Sequence, residues 1–305
     1  MCIRDSDTDD SLVPVLAEAP PEFSDDYTKL TIRLKKGIYW SDGVEFTAED
    51  VVYTFKALMN FSAFSAHAWV ERWVKDVYAP DRYTVVIELK EPNPYFVQYF
   101  IVQQYGASFY PMPKHVFEKY QREVDPDITK FKFYPPVSLG PYVFVDADPA
   151  GYWLLYKLRD DWERTAVGRW AKEHGLEFRA KYLLFRTWDN VMQYVMAMCN
   201  DEIDWVLVIQ DPEAWSALQE CGGDKIKAWQ DGWPYAWVYE NNHYYVAFNN
   251  MRYPFNISTV RWALTLAIDI VDVDIAAFGG VQQLVPVMIT PTVGALKSFL
   301  IPRIR

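Results

Sequence analysis

Histidine, cysteine and glycine are scarce in this chain of 305 residues, at 4, 3 and 13 respectively. His67, His115, His174 and His243 share no i, i+4 spacing, so no helical metal site is signalled, and neither a metal nor a cofactor is expected. The few glycines form no G-x-G-x-x-G, no phosphate-binding loop and no G-x-S-x-G elbow, and the pairs Gly222-Gly223 and Gly279-Gly280 read as turns. That removes nucleotide chemistry and the serine-hydrolase elbow. Cys2, Cys199 and Cys221 provide neither a dense disulfide framework nor metal-ligand spacing. Cys199 and Cys221 fall at the expected ends of successive helices. The expectation is two unpaired, buried small side chains, with a single disulfide as the alternative in an oxidising compartment.

Long apolar runs are also missing. The nearest approach, "VQQLVPVMITPTVGALKSFLIP", is interrupted by Gln282, Gln283, three prolines and Lys297, and reads as strands and loops rather than a bilayer span. The opening "MCIRDSDTDD" has no basic segment leading an apolar core, so no secretory signal is expected in it. Its first six residues read as an assembly scar and are set aside. Positive charge is outweighed: 30 Lys and Arg against 41 Asp and Glu give a net charge of −11. Phosphate backbones and anionic lipid are therefore poor partners.

What the chain has in quantity is apolar and aromatic surface. It is 51% hydrophobic, with 13 Trp, 21 Tyr and 18 Phe. That length and apolar content suit two domains. The aromatics supply core, and also the flat walls that a cleft for sugars or extended peptides would use.

Local patterns define several elements. "KLTIRLKKGIYWSDG" alternates Leu30, Ile32 and Leu34 against Thr31, Arg33 and Lys35, a half-buried strand, then turns at Ser41, Asp42 and Gly43. In "TAEDVVYTFKALMN", Thr47 stands as N-cap with Asp50 three residues on, and Val51, Val52, Phe55, Leu58 and Met59 share one helical face. "RYTVVIELK" is a second alternating strand, stopped by Pro92 and Pro94. Around Pro135 and Pro136 the dense punctuation places a boundary.

Beyond it, "PYVFVDAD" and "YWLLYKLRDDW" form a hairpin, "KYLLFR" a strand and "DNVMQYVMAMCN" a helix. "IDWVLVI" reads as a buried strand, "DPEAWSALQEC" as a helix and "HYYVAF" as another strand. This alternation predicts an α/β lobe with a largely parallel or mixed sheet. The acidic clusters Asp160-Asp161 and Asp201-Glu202-Asp204 read as solvated turns; a glycosidase dyad needs a spatial separation that sequence does not define.

Four stretches, taken in order, carry a resemblance. "LTIRLKKGIYWSDGVEFTAEDVVYTF" resembles the signature of the family 5 extracellular solute-binding proteins, the oligopeptide- and dipeptide-type receptors of ABC importers. The matching positions are Lys36, Gly37, Trp40, Asp42, Gly43, Thr47, Ala48, Asp50 and Val51, with Lys36 where the family favours arginine. "LGPYVF" is similar to its G-x-G-P-Y, keeping Gly140, Pro141 and Tyr142 with Ser138 in place of the first glycine. "NDEIDW" resembles G-E-I-D through Glu202, Ile203 and Asp204. "NNMRYPFNISTVRWALTLAID" matches at Pro254, Phe255, Val260, Arg261, Ala263, Leu264, Ala267, Ile268 and Asp269. Ser258 replaces a preferred aspartate there, and Ile270 a frequent arginine.

The resemblance implies an α/β, periplasmic-binding-protein-like two-lobed fold of type II with an extra subdomain, closing on ligand by hinge motion. It implies an N-terminal subdomain over 1–136, the α/β core of the first lobe over 137–248, and over 249–305 a hinge crossing and the incomplete start of a second lobe. The chain is thus expected to be a fragment of a longer parent, periplasmic or extracellular and either free or lipid-anchored. Helix 258 onward should cap with Ser258 and bury Leu264, Ala267 and Ile268, and Arg261 should anchor that helix to a carboxylate or carbonyl.

The implied role is binding without catalysis: capture of an oligopeptide, or alternatively an oligosaccharide, by a monomer that delivers it to a membrane permease. A glycoside hydrolase is the alternative of a different class. Ligands of α/β lobes sit beyond strand carboxyl ends, which nominates Trp188 and Asp189, then Gln210 and Asp211. Trp233, Tyr235 and Trp237 join them from the aromatic segment near the crossing, with Asn249 at the crossing itself.

Overall fold

A computed structural model describes residues 3–4, 13–101, 109–206, 212–223, 225–227 and 247–278. The chain divides into two compact units, Met1–Arg186 and Thr187–Arg305.

The first unit opens with a ribbon of β1 (Ile3–Arg4) and β2 (Val13–Pro14). Its main sheet joins β3 (Glu22–Phe23), β4 (Lys29–Arg33), β5 (Val74–Asp81) and β6 (Thr84–Leu89) in the order β3-β4-β6-β5, every pairing antiparallel. The register sets Leu30 opposite Ile87 and Ile32 opposite Val85. All four are fully buried, as the alternation of the two segments predicts.

Helix α1 (Ala48–Asn60) lies over β5 and β6 and sends Val51 and Phe55 into the same core. Helix α2 (His67–Trp73) adds Trp69, whose ring stacks on Phe100 at 4.5 Å. Phe55 stacks on Phe109 at 4.6 Å. Helix α3 (Lys114–Glu123) packs on α1 through a second aromatic cluster in which Phe117 meets Phe131 and Phe133. Within that cluster the Tyr53 hydroxyl donates to Gln121 Oε1, and burial pushes its pKa up to about 12.

The second sheet has the order β7-β8-β9, from β7 (Tyr142–Ala147), β8 (Trp153–Leu158) and β9 (Tyr182–Arg186). The expected hairpin is present, but β9 runs antiparallel to β8, and every pairing among the described residues is antiparallel. These three strands show no parallel pairing; the other strands of the expected largely parallel or mixed sheet fall mostly outside the described residues. The Leu158 N–H donates to the Lys181 carbonyl, so the connection between β8 and β9 begins and ends at one end of the sheet. Instead of crossing the sheet, it carries α4 (Ala166–Glu173) back to the loop at residues 36–40.

In the second unit, α5 (Val191–Cys199) and α6 (Pro212–Gly222) appear where sequence places them. A Cys199–Cys221 disulfide joins them, with Cα atoms 5.7 Å apart. The expectation of two unpaired, buried thiols is overturned, because the helix pair brings their ends within bonding reach. Residues 203–206 form no strand and Trp205 is 66% exposed; the rest of that expected strand, and most of "HYYVAF", lie outside the described residues.

The α5 terminus explains how the chain turns instead. Glu202 N–H donates to the Ala197 carbonyl and Asp201 N–H to that of Met198, with Asp201 at φ +58°. This pair of bonds closes a helix through a left-handed residue, the place glycine usually fills. Asp201 occupies the glycine position of the G-E-I-D pattern. Asp201→Gly is expected to raise stability by about 0.5–1 kcal/mol, read as a higher urea midpoint with unchanged slope.

Helix α7 (Ser258–Ala267) is preceded by Ile257 as N-cap and receives no side-chain cap. The expected serine cap is absent because Ser258 is already the first helical residue. Nor are the expected apolar residues buried: Leu264 is half-exposed, Ala267 exposed and Ile268 44% exposed, since no described element covers that face. Arg261 does anchor the helix, donating from Nη1 to the Phe255 carbonyl at 2.5 Å. Helix α8 (Ile270–Phe278) follows.

Candidate ligand-binding site

A dense set of hydrogen bonds and ion pairs in the first unit surrounds the segment Lys36–Asp50. Two glycines shape it. Gly37 has φ +68° and lies so close to the Arg169 guanidinium that an added Cβ would come within 2.9 Å of it, while Gly43 turns the chain at φ +87°.

Three arginines on the connection between β8 and β9 converge on this segment. The Arg159 side chain is 4% exposed and grips the Asp161 carboxylate from Nε at 2.8 Å and Nη2 at 2.9 Å. The same guanidinium donates to the Tyr39 carbonyl at 3.1 Å and the Trp40 carbonyl at 3.2 Å. Arg169 donates to the carbonyls of Lys36 and Gly37. Arg164 lies 3.8 Å from the centre of the Tyr39 ring. The Arg159 hydrogen bonds hold the Asp161 carboxyl below the ordinary carboxylate range.

Asp42, Glu49 and Asp50 of the same segment face α3, while Glu45 accepts from Gly37 N–H, Arg82 and the Tyr83 hydroxyl. Asp50 accepts from Thr47 N–H at 2.9 Å, the return half of the expected capping box, and from Lys114 N–H at 2.9 Å. One carboxylate therefore closes the first turns of both α1 and α3. Burial raises the Asp50 pKa in spite of those donors. Lys114 Nζ meets Glu49 at 2.9 Å, and His115 Nε2 lies 2.6 Å from Asp42 Oδ2.

Ser138 accounts for the departure from G-x-G-P-Y. Its N–H donates to Ser41 Oγ at 3.0 Å, its carbonyl accepts from Ser41 N–H at 2.8 Å, and its Oγ accepts from Gly140 N–H at 2.9 Å. Sequence reasoning passed over Arg159, Arg164 and Arg169. Their only signal was three arginines within eleven residues of a chain poor in positive charge.

Of the nominated ligand residues, Trp188 and Asp189 lie just beyond the end of β9. Trp188 is half-buried and Asp189 exposed. Asp189 N–H donates to Gln193 Oε1 and Gln193 N–H to Asn190 Oδ1, so the α5 N-cap fixes this loop. Asn249 is exposed in the turn before α7, where its side chain accepts from Met251 N–H at 3.0 Å. Gln210, Asp211, Trp233, Tyr235 and Trp237 lie outside the described residues. Among the described residues, no group of three or more His, Cys, Asp and Glu is arranged to hold a metal.

The model of the bacterial extracellular solute-binding proteins, family 5, matches residues 11–297. The chain belongs to that family. Protein XP55 of Streptomyces lividans is 28% identical over 197 residues, covering 64% of this chain and 30% of XP55. The probable peptide-binding protein YejA of Agrobacterium fabrum is 27% identical over 141 residues, 46% of this chain and 22% of YejA.

Among solved structures, a periplasmic oligopeptide-binding protein of Thermotoga maritima aligns over 90% of this chain and 47% of its own, at 20% identity and TM-score 0.66. AppA of Bacillus subtilis, solved with a nonapeptide, aligns over 96% and 52%, at 17% identity and TM-score 0.62. These likenesses establish the periplasmic-binding-protein fold for this family 5 chain. It spans about half the length of those solved structures and 30% or less of the two curated relatives.

Proposed function

We propose that this family 5 chain is part of an extracytoplasmic receptor that captures an oligopeptide between two lobes and delivers it to the permease of an ABC importer. The observation that carries this reading is the family match over residues 11–297, joined to an intact signature segment whose glycines and carboxylates each have a defined structural task. The names of YejA and of the Thermotoga and Bacillus proteins support a peptide. Binding without catalysis fits these relatives. The disulfide supports an oxidising, extracytoplasmic location.

Trp188, Asp189 and Asn249 are the proposed ligand contacts among the described residues, with Gln210, Asp211, Trp233, Tyr235 and Trp237 completing the set. Residues 1–136 and 137–248 are the proposed subdomains of the first lobe, and 249–305 the passage into the second. The receptor acts as a monomer.

An oligosaccharide is the second reading, favoured by the Thermotoga protein solved with mannohexaose at TM-score 0.63. Against it, part of the aromatic load is core: Phe46, Phe55, Phe96 and Phe100 are fully buried. A thermal-shift screen against di- to pentapeptides and α- and β-linked oligosaccharides separates the two. A ligand at 100 times its Kd adds about 2.7 kcal/mol, a shift of several degrees. Saturable stabilisation by peptides, reduced by Trp188→Ala, is the expected result. Stabilisation only by sugars would select the second reading, and sugar cleavage or no shift with any ligand would overturn the receptor.

A further inference from the structure

We propose that the Cys199–Cys221 disulfide makes the α5–α6 pair a redox-sensitive element, folded while the bond is closed and locally unfolded when it opens. The helices have 9 and 11 residues, below the roughly 12–15 at which even good isolated helices become marginal in water. Their described core is small. Among the described residues, the buried apolar side chains of the two helices are Val195, Ala197, Ala214 and Leu218, with Val191, Tyr194, Met198, Ala217 and Ile226 partly buried. Met192 and Met196 on α5 are 41% and 55% exposed. So few buried groups offset little of the entropy of ordering two helices.

The covalent tie supplies the difference. It spans 22 residues, a closure that biases folded over unfolded by on the order of 10² to 10³ in the chain-entropy account. Cys221 is exposed and Cys199 half-buried, so a reductant reaches the bond. A dithiol attacks one sulfur, the S–S bond breaks, two electrons and two protons pass to Cys199 and Cys221 as thiols, and the dithiol closes its own disulfide. The consequence for ligand rests on the function proposed above: α5 begins two residues after Asp189 and holds the 187–190 loop through Gln193. The redox element itself stands whether or not that loop touches ligand.

Hydrogen exchange read by mass spectrometry tests it, on the chain before and after dithiothreitol with thiol release confirmed by alkylation, and on the Cys199→Ser/Cys221→Ser double variant. Peptides from α5 and α6 should exchange on the order of 10²-fold faster in both open forms. Peptides from β4 and β6, whose core includes no residue of either helix, should be unchanged. Retained protection of α5 and α6 with both thiols free, or equal loss across β4 and β6, would overturn the proposal. Loss of binding on Trp188→Ala with exchange unchanged would bear on the ligand site alone.

Discussion

Arg159→Ala is expected to cost about 1.5–3 kcal/mol, the scale for hydrogen bonds to a charged group, because the Arg159 side chain is 4% exposed while its Asp161 partner, 37% exposed, regains water. The size follows from what it leaves behind. Asp161 loses both bonds of a bidentate grip, and the Tyr39 and Trp40 carbonyls lose a shared donor. Lysine should rescue little, because a single ammonium cannot reproduce the planar fork that serves a carboxylate and two carbonyls together.

Asp161→Asn separates charge from shape. Because Arg159 lowers the Asp161 pKa in the folded state, that pair contributes stability above the ordinary carboxylate range and loses it as pH falls through the folded value. Wild type should therefore lose its advantage over Asp161→Asn below about pH 4. Urea unfolding at pH 7 and pH 3 measures both effects. A cost below 1 kcal/mol for Arg159→Ala at pH 7 would show that the 36–40 loop holds itself.

The elements that sequence made legible are those whose signal is local. Alternation located β4 and β6 because a period of two reports directly on one buried face, and the Thr47 and Asp50 spacing located the start of α1 because a capping box closes within three residues. Failures came where partners are distant in sequence. Arg159 meets Tyr39 across 120 residues and Arg169 meets Lys36 across 133, so no window of sequence showed that the β8–β9 connection turns back to clamp a loop. Strand direction followed from that diversion.

The disulfide was open for the same reason: helix ends were predicted, but whether they meet depends on α5 and α6 packing together. Sequence put the end of a strand just before Trp188 and Asp189, and β9 ends there at Arg186; their contact with ligand is a proposal. The apolar face of α7 was legible as a pattern, yet a pattern states what a helix could bury and not what covers it.

Asp50→Ala should cost about 2–4 kcal/mol, because the carboxylate accepts from two backbone N–H groups at once. Thr47 N–H and Lys114 N–H would both lose their acceptor at a site where Asp50 is 4% exposed, and each orphaned buried donor costs about 1–3 kcal/mol. Asp50→Asn keeps the shape and one acceptor, so its cost should be smaller.

The pH dependence of that smaller cost has a defined sign. Burial raises the folded pKa of Asp50, so its protonation stabilises the fold: the contribution is full below the unfolded value and is lost as pH rises through the folded one. Asparagine does not titrate, so the deficit of Asp50→Asn relative to wild type should grow as pH falls from 7 towards 4. This is opposite to Asp161→Asn, whose deficit shrinks on acidification. Denaturant titrations of both variants at several pH values therefore distinguish a carboxylate whose pKa an arginine lowers from one whose pKa burial raises. If the two deficits moved in the same direction, Asp50 would not be the buried double cap that joins α1 to α3.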